Sequence, residues 1–354
     1  MTARRTGKVL AGLKKAGLDA LLVTSLENIC YFTGFTGSDA LLLLTKNGSF
    51  LVVDSRYTSQ ARGECKTTTV TESENKTKEV ARRARKLGLK RVGFEPRRLS
   101  VAQHGELKNA VTAELVPVPE ALERARMVKD AEERKLLKKA AAISSKSFLE
   151  IVGSIEVGAG ERTIALRLEF QIRNNGAGAI PFPIIVASGK RGALPHGLAS
   201  GKRVGRGEFV TIDFGAVYGG YCSDETCTVM VGTPTARQKK VYQTVKEAHD
   251  KAMSTVRPGV RAGQVDLAAR KIIEKAGMGK YFKHGTGHGV GLAVHEEPRI
   301  APKQDVIAEA GMVFTIEPGV YIPGWGGVRI EDTIRVTRQG CEPLSSVPKE
   351  LWCI

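Results

Sequence analysis

Two stretches of this chain place a carboxylate where an apolar strand would ordinarily continue: Asp213 in Val210-Thr211-Ile212-Asp213-Phe214, and Glu317 in Phe314-Thr315-Ile316-Glu317-Pro318. Each is followed, after a turn rich in glycine and tyrosine, by a second acid, Asp224 and Glu331 respectively. Side chains alternate along a strand, so Asp213 and Asp224 share one face if a hairpin register pairs them, and Glu317 and Glu331 repeat the arrangement. A buried carboxylate without compensation is costly, and four converging ones repel strongly. Divalent cations are the simplest remedy, so the fold is constrained to bring two acidic hairpins to one site.

The rest of the second half fits such a duplication. Helical patterns over about 130–152 and 161–174 precede a hairpin of Thr211 to Gly215 and Tyr221 to Val231. Patterns near 235–255 and 264–276 precede a second hairpin of Val313 to Tyr321 and Gly327 to Val336. Sequence similarity between the copies is faint, so the repeat is architectural. Asp130 followed by Glu133 is a capping-box start for the first helix, and the domain boundary falls near it. Ahead of it, apolar runs at Ala20 to Thr24, Leu41 to Thr45, Phe50 to Asp54 and Arg91 to Glu95 alternate with helical patterns, among them Lys78 to Leu87. That alternation predicts an α/β domain with a mixed sheet over residues 1–125, followed by an α+β domain with a pseudo-twofold repeat over 126–354.

Histidines complete the acidic constellation. Of six in the chain, His196, His284, His288 and His295 fall at glycine-rich or apolar sites of the second half, whereas His104 and His249 read as ordinary surface or core groups. Glycines around His288 allow close backbone approach, which suits an imidazole ligand. They lack the order and helix start of a dinucleotide loop. Oxygen-rich coordination with one nitrogen suits Mn²⁺, Co²⁺ or Fe²⁺, and Zn²⁺ also fits. A pair of such ions can activate water against a carbonyl.

His196, the Asp213/Asp224 pair, Gly287-His288-Gly289, Val294-His295-Glu296, Ile316-Glu317-Pro318-Gly319 and Arg329-Ile330-Glu331 resemble, in order and spacing, the signature of the pita-bread metallopeptidases. Ile29-Cys30-Tyr31-Phe32-Thr33-Gly34-Phe35 and Val52-Val53-Asp54-Ser55-Arg56-Tyr57 resemble the creatinase-type N-terminal domain of the proline-specific members, aminopeptidase P and prolidase. The resemblance implies two divalent ions, most simply Mn²⁺, with Asp213 chelating one, Asp224 and Glu331 bridging both, and His288 and Glu317 completing the other. It implies His196 and His295 as substrate and oxyanion contacts, with His295 also moving a proton, and Glu317 as general base. Arg329 and His284 would orient the ligands, while Tyr321 packs the hairpin or lines the pocket. Where the family often carries an arginine this chain has Cys227, which removes one cation from behind the ligands.

The implied activity is release of an N-terminal residue from peptides with proline second, with Xaa-Pro dipeptide hydrolysis as the alternative. Arg299 stands where prolidases can hold a dipeptide's free carboxylate. A homodimer is also implied. The same fold serves non-catalytic binding modules, and creatinase works without metal, but neither needs all five ligands intact.

Composition narrows the field further. With 354 residues and a net charge of +17, the chain could suggest a nucleic-acid surface. The densest basic cluster, between Lys76 and Arg91, lacks interleaved aromatics and reads as a solvated helix face, so nucleic acid is not an expected partner. No apolar run is long enough for a membrane span. The basic segment Met1 to Leu18 reads as an amphipathic helix, not a signal peptide. Six scattered cysteines form no disulfide framework, which with the rest predicts a reducing, cytoplasmic setting. Cys222 reads as a small buried hydrophobe rather than a thiolate ligand.

Overall fold

The structure, a computed structural model, describes residues 2–119 and 121–354. Contacts divide the chain into two compact units, Met1–Ala125 and Arg126–Ile354. In the first, Ala20–Val23 is apolar and buried throughout, as a strand covered on both faces must be. It pairs antiparallel with Leu41–Thr45 and parallel with Arg91–Phe94. The full order is Thr69–Glu72, Gly48–Val53, Leu41–Thr45, Ala20–Val23, Arg91–Phe94 and Glu114–Pro117, a mixed six-stranded sheet. The two outer strands escaped the sequence reading because each is only four residues long and none of its residues is fully buried.

Helix Leu26–Thr33 begins at Ser25, whose hydroxyl accepts from the Asn28 amide, and ends at Gly34, whose φ of 81° closes the helix in the left-handed region. The basic helix spans Lys76–Lys86, two residues earlier than its apolar pattern suggests, because Asn75 caps it. Its Arg82 is paired with Glu79, and Arg83 lies over the Phe50 ring and donates to Thr71. Part of the basic cluster is therefore occupied within the unit.

The second unit is a duplicated α+β structure. Helices Ala131–Ile151 and Glu161–Asn174 precede a three-stranded sheet of Ile185–Ser188, Glu208–Phe214 and Glu225–Val231. Asp130 accepts from the amides of Glu132 and Glu133 while Glu133 bonds back to the Asp130 amide, as the capping box requires. Phe148 stacks on Phe214 at 5.1 Å, fixing helix to sheet. Helices Ala236–Thr255 and Ala262–Lys275 precede the second sheet, of five strands. Val245, Ala248 and Ala252 on the first of these, and Val265, Ala269 and Ile273 on the other, are fully buried at helical spacing in the core beneath that sheet. Among the described residues no helix is long and apolar enough to cross a membrane.

Neither hairpin is continuous, as the sequence had suggested. Glu208–Phe214 pairs with Glu225–Val231, and a separate ribbon of Val217–Tyr218 and Tyr221–Cys222 follows. In the second half Val313–Ile316 pairs with Asp332–Val336, while Gly319–Ile322 and Gly326–Arg329 form their own ribbon. The first interruption includes Gly215, where a Cβ would overlap the Ser223 carbonyl oxygen. The second includes Pro318, which has no N–H for a ladder. Three of the four acids, Asp224, Glu317 and Glu331, lie in the interruptions, where the backbone turns out of one sheet and into the next.

Candidate metal centre

Asp213 is the exception, being the penultimate residue of a regular strand. Its register partner is Thr226, so Asp224 lies two residues along on the same face and not directly across, which corrects the expected pairing. In the second half Ile316 faces Asp332, so one further step of the same register brings Glu317 toward Glu331. His288 comes from the short strand Gly287–Gly289. A Cβ on Gly287 would overlap the Thr315 carbonyl oxygen and one on Gly289 that of Glu297, so only glycine lets this strand lie so close to its neighbours.

Asp224, His288 and Glu331 each offer a ligand atom, and these atoms all lie within 4.8 Å of one another. The His288 Nε2 is 3.5 Å from Asp224 Oδ2 and 3.4 Å from Glu317 Oε1. Its Nδ1 lies 3.1 Å from the Gly289 carbonyl oxygen, which fixes Nδ1–H as donor and turns the Nε2 lone pair toward the acids. Burial lowers the His288 pKa and so favours the neutral, ligating form. Asp213 accepts from Arg329 Nη2 at 2.7 Å through Oδ2, while its buried Oδ1 has no hydrogen-bond partner among the described residues. A bare carboxylate oxygen beside three further acids has no donor to satisfy it and fits a cation.

The charges say the same. Burial, then Glu331, Asp213 and Glu317, push the Asp224 carboxyl well above the usual range, and burial, Glu317 and Asp213 do so for Glu331. Burial raises Glu317 as well, against the pull of His284 and Arg329. Divalent ions supply the positive charge that this set lacks. Every expected ligand thus reaches one region, with Asp213 contributing from the Arg329 side.

Arg329 is the hub behind the ligands. Besides Asp213 it donates to the Tyr321 hydroxyl at 2.9 Å and, through Nε, to Thr226 Oγ1 at 3.0 Å; Thr226 Oγ1 donates in turn to Glu331 Oε2 at 2.6 Å. Tyr321 is buried, its hydroxyl pKa pushed up to about 12 by burial, and lies 3.0 Å from His284 Nε2. His284 thus meets Arg329 through the Tyr321 hydroxyl, and its charge bears on Glu317.

His196 and His295 are both exposed, and the His295 ring lies 4.3 Å from that of His288. Two buried carboxylates, Glu161 and Glu296, were not singled out in the sequence. Glu161 accepts from the amides and hydroxyls of Ser188 and Ser200, on either side of His196, and pairs with Arg191. Glu296, next to His295, pairs with Arg126 and, at 2.7 Å, with Lys129. Arg299 is exposed, and its register partner is His288, so its side chain leaves the sheet on the face that carries the imidazole. Cys222 is buried with its Sγ 3.9 Å from the Leu292 carbonyl oxygen, and Cys227 pairs with Ile212. Behind Cys227 the cation expected to be missing is present: Lys349 Nζ lies 3.8 Å from its Sγ. His249 is a buried core group, with its Nε2 3.2 Å from Asp332 Oδ2.

The profile of metallopeptidase family M24 matches residues 135–338, and that of the creatinase/prolidase N-terminal domain matches 5–128. The chain belongs to metallopeptidase family M24. This M24 chain is 38% identical to an Xaa-Pro dipeptidase of Pyrococcus horikoshii, over 97% of both proteins. Among solved structures it is similar to an Xaa-Pro dipeptidase from Bacillus anthracis, at TM-score 0.97, 39% identity and full coverage of both chains. It is also similar to an X-Pro aminopeptidase from Thermotoga maritima, at TM-score 0.92 and 37% identity over 99% of both. An α/β creatinase-type domain followed by a pita-bread catalytic domain is thus the fold, and M24 membership implies a dinuclear divalent metal site.

Proposed function

We propose that this M24 peptidase is an Xaa-Pro dipeptidase, hydrolysing the bond between a residue and a C-terminal proline. The observation that supports the choice is Arg299, an exposed residue in register with His288 and so a candidate to receive a substrate carboxylate. Full-length similarity to Xaa-Pro dipeptidases supports the same reading. Sequence motifs had put aminopeptidase activity first; that reading now stands second, favoured by the Thermotoga maritima structure. Proline nitrogen carries no N–H and its ring fixes φ, so either substrate needs a dedicated pocket.

In this reading Asp213, Asp224, His288, Glu317 and Glu331 hold two divalent ions, Mn²⁺ by preference for an oxygen-rich set. When bound, the ions supply Lewis-acid polarisation of the scissile carbonyl and a more acidic water. Glu317 takes the proton of the attacking water. His196 and His295 donate toward the oxygen on which charge develops, and His295 passes a proton toward the departing proline nitrogen. Arg329 holds Asp213. Residues 1–125 and 126–354 act as separate domains, and the protein works as a homodimer, which light scattering tests by requiring twice the chain mass.

The deciding measurement is kcat/KM for Xaa-Pro against Xaa-Pro-Yaa-Zaa in Mn²⁺ buffer, with Arg299→Ala alongside. Dipeptidase activity predicts hydrolysis of the dipeptide alone and its selective loss in the variant. Efficient release from the tetrapeptide, unaffected by Arg299→Ala, would establish the aminopeptidase reading instead.

A further inference from the structure

The strands that carry Asp224 and Glu331 bear a second pair of acids on their reverse side. The sequences Asp224-Glu225-Thr226 and Glu331-Asp332-Thr333 occupy equivalent places in the two halves. They are tied reciprocally: Thr226 donates to the Glu331 carboxylate, and Thr333 donates to the Asp224 carbonyl oxygen at 2.6 Å. Because side chains alternate, Glu225 and Asp332 point away from the metal ligands. Both are buried.

Between them lies Lys349, also buried, from the C-terminal tail. Its Nζ is 2.6 Å from Glu225 Oε1 and 3.4 Å from Asp332 Oδ1. The same stretch of tail supplies Ser345 Oγ to Asp332 Oδ1 at 2.5 Å and the Val347 amide to Glu225 Oε1 at 3.3 Å. One fixed ammonium thus spans the two halves from behind, at the residues immediately following the two acids that face one another in front. Remove it and Glu225 is left without its cation against Asp332, whose remaining basic neighbour is His249 at 3.2 Å; the two carboxylates then repel across the junction and press apart the strands whose separation sets the distance between Asp224 and Glu331.

We propose that Lys349 is a positioning residue for the metal centre, setting the spacing of Asp224 and Glu331 through Glu225 and Asp332 so that the C-terminal tail governs metal affinity. The inference rests on the metal-centre reading above. It goes beyond stability, since a lysine that served the fold alone would change the melting temperature and leave the affinity of the folded protein untouched.

The test strips the full-length protein with a chelator and titrates Mn²⁺ calorimetrically into the parent, Lys349→Met and Glu225→Gln/Lys349→Met, with near-ultraviolet circular dichroism reporting the fold. The double variant removes one of the two stranded carboxylates and guards against misfolding of the single one. The expected result is Mn²⁺ affinity about tenfold or more weaker in Lys349→Met, and still severalfold weaker in the folded double variant, because outer groups that hold ligands are typically worth about 10–100-fold in metal affinity. Parent-like affinity in folded Lys349→Met would overturn the proposal; should that variant not fold, parent-like affinity in the folded double variant, which equally lacks the ammonium bridge, would overturn it. A parent that binds no Mn²⁺ would remove the metal centre and this inference with it, whereas a binding parent with unaltered variants would remove only the inference.

Discussion

The two halves of the catalytic unit solve one problem in two ways. In the second half both acids, Glu317 and Glu331, sit in the interruption between sheet and ribbon and approach across one continued register. In the first half only Asp224 does; Asp213 stays inside its strand, opposite Thr226, and is reached by Arg329 from the other half. The surroundings of two buried carboxylates differ as well. Glu161 is held by four amide and hydroxyl donors plus one arginine, whereas Glu296 is held by two cations. The duplicated backbone therefore supplies approximate symmetry, and side chains arriving from distant segments break it, which gives the five proposed ligands unlike environments.

The largest effect should fall on the acids in the interruptions. Asp224→Ala and Glu331→Ala are each expected to reduce peptide hydrolysis to background while circular dichroism stays native, since each removes a proposed ligand and, at Glu331, only one side-chain bond, from Thr226. Substantial activity in either variant would break the equivalence of the two halves.

Next comes the residue that crosses between them. Arg329→Met strips Asp213 and Tyr321 of a buried donor and is expected to destabilise the protein by about 3–5 kcal/mol, the cost of breaking a buried pair. Chemical denaturation of the chelator-treated protein measures it. A loss below about 1 kcal/mol, typical of exposed pairs, would mean that Asp213 is positioned by its own strand alone.

Glu296→Gln sharpens the contrast between these two carboxylates through pH. Burial alone would raise the Glu296 carboxyl, but Lys129 and Arg126 outweigh it and hold it below its ordinary 4.5. A depressed carboxylate contributes stability that is fully present above the unfolded pKa and is lost as pH falls through the folded one. The variant should therefore be less stable at neutral pH, and the difference from the parent should shrink as pH drops below 4.5. Melting curves across that range check it, and a constant difference would assign the effect to packing.

The smallest expected effect is at Tyr321, where Phe keeps the ring and deletes only the hydroxyl shared by Arg329 and His284. A cost of about 1–3 kcal/mol is expected, the range for leaving buried polar partners unsatisfied. No change in stability would show that Arg329 finds another acceptor.

Much of the site was legible beforehand because its strongest signals are local. An aspartate in Val210–Phe214 or a glutamate in Phe314–Pro318 conflicts with its own neighbours, and the cost of burying charge makes that conflict readable without a structure. Glycines flanking His288 were legible as close approach for the same reason, though the carbonyl oxygens they avoid, of Thr315 and Glu297, were not. Outer strands such as Thr69–Glu72 were missed because an edge segment without full burial leaves no apolar run to find.

What the sequence by itself determined is the family, the two-domain fold and the order of the acids and histidine proposed as ligands, carried by motifs that are each local along the chain. Tertiary structure alone decided where each hairpin breaks, that Asp213 answers to Thr226 and not to Asp224, and which cations stand behind the acids. Arg329 and Asp213 are 116 residues apart, and Lys349 and Glu225 are 124 apart. Spacing carries no signal over such separations: a buried lysine near the end of the sequence looks like any surface lysine until the fold closes around it and sets two carboxylates within its reach.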